Sequence, residues 1–145
     1  MAITEAEYLA GWEERHRSGV VPPLQKRMGV KLDRLSPTTI LTMELGDDVR
    51  GPVEGSIHGG MLATFADIAS AVAVWDSYDT QTEVPVTTDM HVRYYRQPSA
   101  GPLKAEATVV HRGRRLLSTE CSIVDAADRT LVRSTATYML VPRSF

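Results

Sequence analysis

The chain is 145 residues long, with 16 Lys and Arg against 18 Asp and Glu and a formal net charge of −2. That length suits a single domain over residues 1–145 with a sizeable core, and the interspersed charges give no electrostatic case for nucleic acid. Cys121 is the only cysteine, so neither a disulfide framework nor a cysteine cluster for zinc is available within the chain.

The first residues carry Glu5, Glu7, Glu13 and Glu14 and no apolar stretch of the kind a signal peptide needs. Thr4-Glu5-Ala6-Glu7 has the form of a capping box. It predicts a short helix over about 4–18, ended by Gly19 and Pro22-Pro23. From Met28 to Leu45 the apolar residues alternate on either side of Ser36-Pro37-Thr38, which predicts two strands and a turn. A polar loop follows from Gly46 to Gly55, and then a long apolar helix from about His58 to Trp75 or Tyr78. After Pro85 the helical period stops. Val84–Gln97, Leu103–His111, Leu116–Val124 and Leu131–Val141 read as strands with short polar breaks, a pattern that favours antiparallel pairing. The expectation is an α+β fold: about six strands packed on one long helix, with the core over about 28–141. The helix is short for a membrane span and has a carboxylate at its centre, so a soluble cytoplasmic protein is expected.

That carboxylate, Asp67, is the most informative residue. An ionised group taken out of water is costly unless paired or hydrogen-bonded. Met61, Phe65, Ile68, Val72 and Trp75 form a stripe of large side chains on the helix, expected to press on the sheet. Asp67 points about 120° away from it, on a face shared with Gly60, Ala63, Thr64, Ser70, Ala71 and Val74. Such small neighbours let a second backbone or a thin ligand come close, and a second copy of the helix is the economical candidate. At the helix start, Gly59 and Gly60 have no side chains to block approach, and the first backbone N–H groups lack intrahelical partners. Such donors can stabilise a carbonyl oxygen that is gaining negative charge. Gly60 and Asp67 are separated by about 10 Å of helix rise, whereas reacting atoms must come to about 3 Å. If both act on one substrate atom, one of them comes from a partner subunit. The plain alternative is a buried Asp bonded to Thr64 or Ser70.

The His58-Gly59-Gly60 start, with Asp67 nine positions after the histidine, resembles the hotdog-fold acyl-CoA thioesterases of the phenylacetate-pathway, or PaaI-like, type. Thr87–Tyr94 looks like the third strand of that family. Gln97-Pro98-Ser99-Ala100-Gly101 looks like its following turn, and Val110–Arg115 like its basic turn before the fifth strand. The resemblance runs roughly from Met28 to Leu140. It implies a hotdog fold, an antiparallel sheet of about six strands wrapped around one central helix, in homodimers that often pair into tetramers. It also implies an acyl-CoA substrate, with coenzyme A as part of that substrate; no separate cofactor and no metal are expected. The Gly59 amide would hold the thioester carbonyl, while Asp67 of the opposite subunit activates water or attacks directly. Thr87 would help hold that water, and His58 would fix the turn. Gly60, Met61 and Thr64 join His58 as candidate substrate contacts, with Phe65 and Tyr94 beside them. Arg112, Gly113 and Arg114, with Arg115, are candidate contacts for the coenzyme A phosphates, against the alternative of a solvated turn.

One position departs from the pattern. Relatives often carry Asn or Gln six residues before the histidine, where it helps bind the carbonyl oxygen. Here that residue is Pro52, which has neither an N–H nor a polar side chain. Gly59 then works alone, or Glu54 or another group assists. A non-catalytic acyl-CoA-binding or regulatory hotdog protein is the alternative. A hydratase is less favoured, because His58 has no acidic partner visible in the sequence. A serine hydrolase is disfavoured by the lack of a Gly-x-Ser-x-Gly elbow. Cys121 reads as a packed strand residue, and His16, His91 and His111 lack metal-ligand spacing.

Overall fold

The computed structural model describes residues 3–144, so Met1, Ala2 and Phe145 at the ends of the expected span lie outside the described residues. In chain order the elements are α1 (Glu5–Arg17), α2 (Pro23–Met28), β1 (Lys31–Arg34), β2 (Thr39–Met43), α3 (Gly59–Ala73), β3 (Glu83–Tyr94), β4 (Leu103–Arg112), β5 (Leu116–Val124) and β6 (Thr130–Pro142). The capping box forms as expected: Glu7 N–H donates to Thr4 Oγ1 at 3.3 Å, and Thr4 N–H donates to Glu7 Oε2 at 2.7 Å. The short α2 is an addition to the expectation. Pro23 lies in its first turn, where a missing N–H costs nothing, and Gly29 stops it at φ 67°. The expected polar loop holds a single 3-10 turn, Asp47–Val49, whose Val49 is buried in the core.

The six strands pair antiparallel in the order β1-β2-β4-β5-β6-β3, and α3 packs across one face of the sheet. This is the hotdog arrangement. Its two edges are unequal: β1 has 4 residues and β3 has 12. Alternation puts Leu103, Ala105 and Ala107 of β4 into the core.

The buried face of α3 is Leu62, Phe65, Ala66, Ala69, Val72 and Ala73, together with Ser70. The expected stripe is therefore rotated. Phe65, Val72 and Trp75 are buried, but Met61 and Ile68 only flank the core. Ala66, Ala69 and Ala73 take the centre because small side chains let the helix lie close to the sheet. Ser70 and Val74, expected to face a second subunit, are buried within the chain instead. Val74 packs with Leu117, Ala136, Tyr138 and Leu140.

The register of β3 slips once, so that Thr87 lies opposite Tyr138 and Asp89 opposite Thr137. This bulge at Thr88 reverses the alternation of the strand. Before it, Thr87 shares a face with buried Tyr138. After it, Met90 and Val92 point to the core. Among the described residues no helix is long and apolar enough to cross a membrane.

Candidate functional site

Asp67 lies midway along α3, half-buried, beside edge strand β3. Thr87 Oγ1 donates to Asp67 Oδ1 at 2.9 Å. The Tyr138 O–H is shared between that same oxygen at 2.8 Å and the Asp67 carbonyl at 3.0 Å. Thr87 and Tyr138 are directly opposed across β3 and β6, so the Thr88 bulge turns both hydroxyls toward one carboxylate oxygen. Oδ2 accepts no hydrogen bond among the described residues. Neither alternative partner is used: Thr64 Oγ1 donates to the Gly60 carbonyl at 2.9 Å, and Ser70 does not bond Asp67. The Thr87 hydroxyl proton is committed to Asp67, which leaves only its lone pairs for a water.

Tyr138 was absent from the sequence-derived set, although a signal existed. It alternates with Ala136 and Leu140 on the core face of β6, and a buried phenol needs a hydrogen-bond partner. Burial, then the Asp67 charge and the hydrogen bond to it, push the Tyr138 pKa well above the ordinary phenol range. The group stays protonated and remains a donor.

The other candidate group sits at the start of α3. His58 is the N-cap, and its Nδ1 accepts from Gly60 N–H at 3.0 Å. That bond assigns the ring proton to Nε2 in a neutral imidazole. The His58 N–H donates to the Val49 carbonyl at 2.9 Å. A Cβ on Gly60 would lie only 3.1 Å from the His58 ring, so this glycine serves the cap. The Gly59 N–H has no acceptor among the described residues, and its residue is half-buried. Tyr94, at the far end of β3, donates its O–H to the Gly59 carbonyl at 2.9 Å. Gly59 and Asp67 lie on one unbroken helix, about 12 Å apart along its axis. They do not meet within one chain.

The remaining candidates divide. Met61 and Thr64 are half-buried near these two groups on α3. Arg112 pairs with Asp76 at 2.7 Å and contacts the Ser77 hydroxyl, so its charge is already engaged beyond the C-terminal end of α3. Gly113 N–H donates to the Leu116 carbonyl at 2.9 Å, and a Cβ there would meet that oxygen at 2.7 Å. Gly113 therefore closes the hairpin. Arg114 and Arg115 are exposed on it. Pro52 and Glu54 are both exposed in the turn that Gly51 N–H closes onto the Ser56 carbonyl at 3.0 Å. Cys121 is buried, and burial first of all pushes its thiol up to about 12, which leaves it unreactive. A concavity on the other face of the sheet, lined by His91, Arg93, Glu106, Glu120 and Arg133 among others, includes neither Asp67 nor Gly59. Among the described residues no cluster of three or more His, Cys, Asp or Glu could hold a metal ion.

Residues 54–132, more than half of the chain, match the profile of the thioesterase superfamily. A candidate esterase of Halobacterium salinarum is 40% identical over 79 residues, 54% of this chain and 52% of that protein. A second candidate esterase, from Deinococcus radiodurans, is 29% identical over 112 residues, 77% of this chain and 70% of that protein. The match thus spans about half the length of the Halobacterium relative. Among solved structures, a thioesterase of Haemophilus influenzae superposes with a TM-score of 0.80 at 17% identity, covering 91% of this chain and 92% of that one. The PaaI protein of the E. coli phenylacetic acid degradation operon gives 0.73 at 23% identity, covering 90% and 92%. At these identities the two structures bear on the fold, and the family rests on the profile, which runs from the turn ahead of α3 into β6: the chain belongs to the thioesterase superfamily.

Proposed function

We propose that this protein hydrolyses acyl-CoA thioesters at sites shared between two subunits. The observation that carries the proposal is the asymmetry of Asp67, with Oδ1 held by two hydroxyls and Oδ2 left open. A carboxylate fixed at one oxygen presents the other in a defined direction. The Gly59 N–H donates to no acceptor among the described residues and suits a carbonyl oxygen gaining charge. Asp67 Oδ2 takes a proton from water as the water oxygen adds to the thioester carbon, or it adds to that carbon itself. The C–S bond then breaks and the sulfur leaves with its electron pair. On the first route it gains the proton held by Asp67, and on the second a water cleaves the Asp67–acyl anhydride and supplies the proton, so that free acid and coenzyme A result either way. His58 keeps the turn in place by capping α3, and Thr87 orients the carboxylate.

The shared site draws on β3. This 12-residue edge strand exposes 42% of Val86 and 51% of Tyr94, and an open edge is a template for another strand. Thr87 marks Asp67 on it, and Tyr94 marks Gly59. Two copies paired antiparallel about an axis between Met90 and His91 set Thr87 opposite the partner subunit's Tyr94. Asp67 then approaches the partner subunit's Gly59, and a two-fold axis makes both sites alike. Two such dimers would make the tetramer.

The test is release of the coenzyme A thiol from aromatic, short and long acyl-CoAs, with wild type and Asp67→Asn in parallel. Hydrolysis by wild type and loss in the variant, at similar substrate affinity, is the expected result. A variant with wild-type turnover removes Asp67 from the mechanism. Pro52, which offers no donor, favours the second reading, a non-catalytic acyl-CoA-binding protein. Tight binding of every acyl-CoA tested without hydrolysis would establish it. A single turnover in ¹⁸O-labelled water separates the two roles of Asp67, since label enters its carboxylate only if it is the nucleophile.

A further inference from the structure

We infer that Gln97 is a positioning residue for the Gly59 amide, clamping the turn ahead of α3 to two loops at one end of the sheet. The inference rests on the thioesterase reading above. Ile57 is 2% exposed and stands two residues before Gly59. Its N–H donates to Gln97 Oε1 at 2.9 Å, and Gln97 Nε2 lies 3.5 Å from the Ile57 carbonyl. The carboxamide thus meets both backbone groups of Ile57, as a neighbouring strand would. The backbone bonds on either side are used elsewhere, Gly51 N–H on Ser56 and His58 N–H on Val49. Without Gln97 the buried Ile57 N–H would lose its partner, a costly state for a backbone donor.

Gln97 is itself anchored. Its carbonyl accepts from Arg129 Nη2 at 3.4 Å. That guanidinium pairs with Asp125 at 2.8 Å. Asp125 also accepts from Ser99 N–H at 3.1 Å, Ser99 Oγ at 3.0 Å, and the N–H groups of Ala127 and Arg129 at 3.0 Å each. Pro98 follows Gln97 and restricts its backbone. A bonded path therefore runs from the β5–β6 turn, through the β3–β4 loop, to the peptide before the α3 cap. Tyr94, three residues upstream on the same chain segment, donates to the Gly59 carbonyl itself.

The residue is also placed where a packing role is small. Gln97 is largely exposed, so its side chain fills no core space. What it fixes is direction: the peptide that carries the Gly59 N–H follows one residue after the clamped one. A shift of about 1 Å in a positioned donor can cost on the order of 100-fold in rate.

The experiment compares wild type, Gln97→Leu, Gln97→Asn and Gln97→Glu. It reads kcat and KM on the best acyl-CoA substrate, thermal melting, and hydrogen exchange at the hydrogen-bonded Ile57 and His58 amides. Leu cannot accept from Ile57, and Asn is too short to reach it, whereas Glu keeps the acceptor. The expected result is a kcat about 10- to 100-fold lower in Gln97→Leu and Gln97→Asn, with KM little changed. Exchange at both amides rises in those two variants, and Gln97→Glu recovers most of the rate. If Gln97→Leu does not fold, Gln97→Asn carries the comparison. Wild-type kcat in a folded variant that lacks the bond overturns the inference. So does a rate loss that Gln97→Glu shares in full. If wild type hydrolyses no acyl-CoA, the thioesterase reading fails separately. The clamp is then judged on exchange, and unchanged protection of the Ile57 and His58 amides in the variants defeats it.

Discussion

The middle of α3 and its first turn are held by different means. Asp67 is a side chain fixed by two side chains, Thr87 and Tyr138, brought together by a bulge in an edge strand. The Gly59 amide is backbone, fixed through the His58 cap, the Tyr94 hydroxyl and the Gln97 carboxamide. The first can be deleted by one substitution with the fold intact. The second cannot be deleted, only blocked or moved. Substitutions at the two places should therefore fail differently.

The largest effect belongs to Asp67→Asn. The amide oxygen still accepts from Thr87 and Tyr138, so the fold survives and thermal melting shifts by only a few degrees. Turnover falls by about 10³-fold or more, since general-base catalysis contributes about 10² to 10⁴. Rates and melting curves on the same preparation check both halves of the expectation.

Gly59→Val comes next and tests the amide end. A Cβ at Gly59 meets the Tyr94 ring at 3.6 Å, an ordinary contact, so the chain tolerates added bulk there. Turnover falls by about 100-fold, the usual cost of losing one such donor. Mixed with Asp67→Asn chains, it should regain activity, because each hybrid dimer holds one site free of both lesions. Proven subunit exchange without any recovery would confine the site to one chain.

Tyr138→Phe and Thr87→Val sharpen the comparison within the carboxylate end. Tyr138 is fully buried and Thr87 is exposed. A buried hydrogen bond to a charged group is worth about 1.5–3 kcal/mol, so Tyr138→Phe loses stability of that order and turnover by about 10-fold. Thr87→Val loses less of both, because water replaces its hydroxyl. Denaturant unfolding beside kinetics ranks the two, and the reverse order would mean that Thr87 is the main anchor.

The smallest effect is expected at Asp125, far along the path behind Gln97. Burial raises its pKa, but the Ser99 N–H and the Arg129 side chain and N–H together outweigh that and hold it well below the usual carboxylate range. A carboxylate depressed in the folded state stabilises the fold above its unfolded value, about pH 3.9. That stability is lost as pH falls through the lower, folded value. Wild type should therefore lose stability below about pH 4, while Asp125→Asn lacks this part of the slope. At neutral pH the variant should lose only a few-fold in kcat, through the loosened Gln97. A melting profile from pH 2 to 7 checks the slope, and a profile unchanged by the substitution would remove Asp125 from the acid response.

Much of this was legible in the chain itself. Capping residues, alternation and proline placement set the order of helices and strands, since each is a local preference of backbone and side chain. Asp67 stood out because a carboxylate in an apolar helix needs a reason. The rotated face of α3 was not legible, because periodicity favours large residues and the sheet instead admitted alanines at the centre. Nor was the Gln97 clamp, since an amide two loops away reaches Ile57 only after the sheet has brought them together.

The sequence by itself determined the elements, the apolar helix with its lone carboxylate, and a glycine turn bare enough to offer an N–H. Those follow from interactions between residues close in the chain. Only the tertiary structure decided which hydroxyls hold Asp67, which oxygen stays open, and that Arg112 is already paired with Asp76. Those depend on strand register and on one bulge, and a slip of a single residue sends a side chain to the opposite face of a sheet.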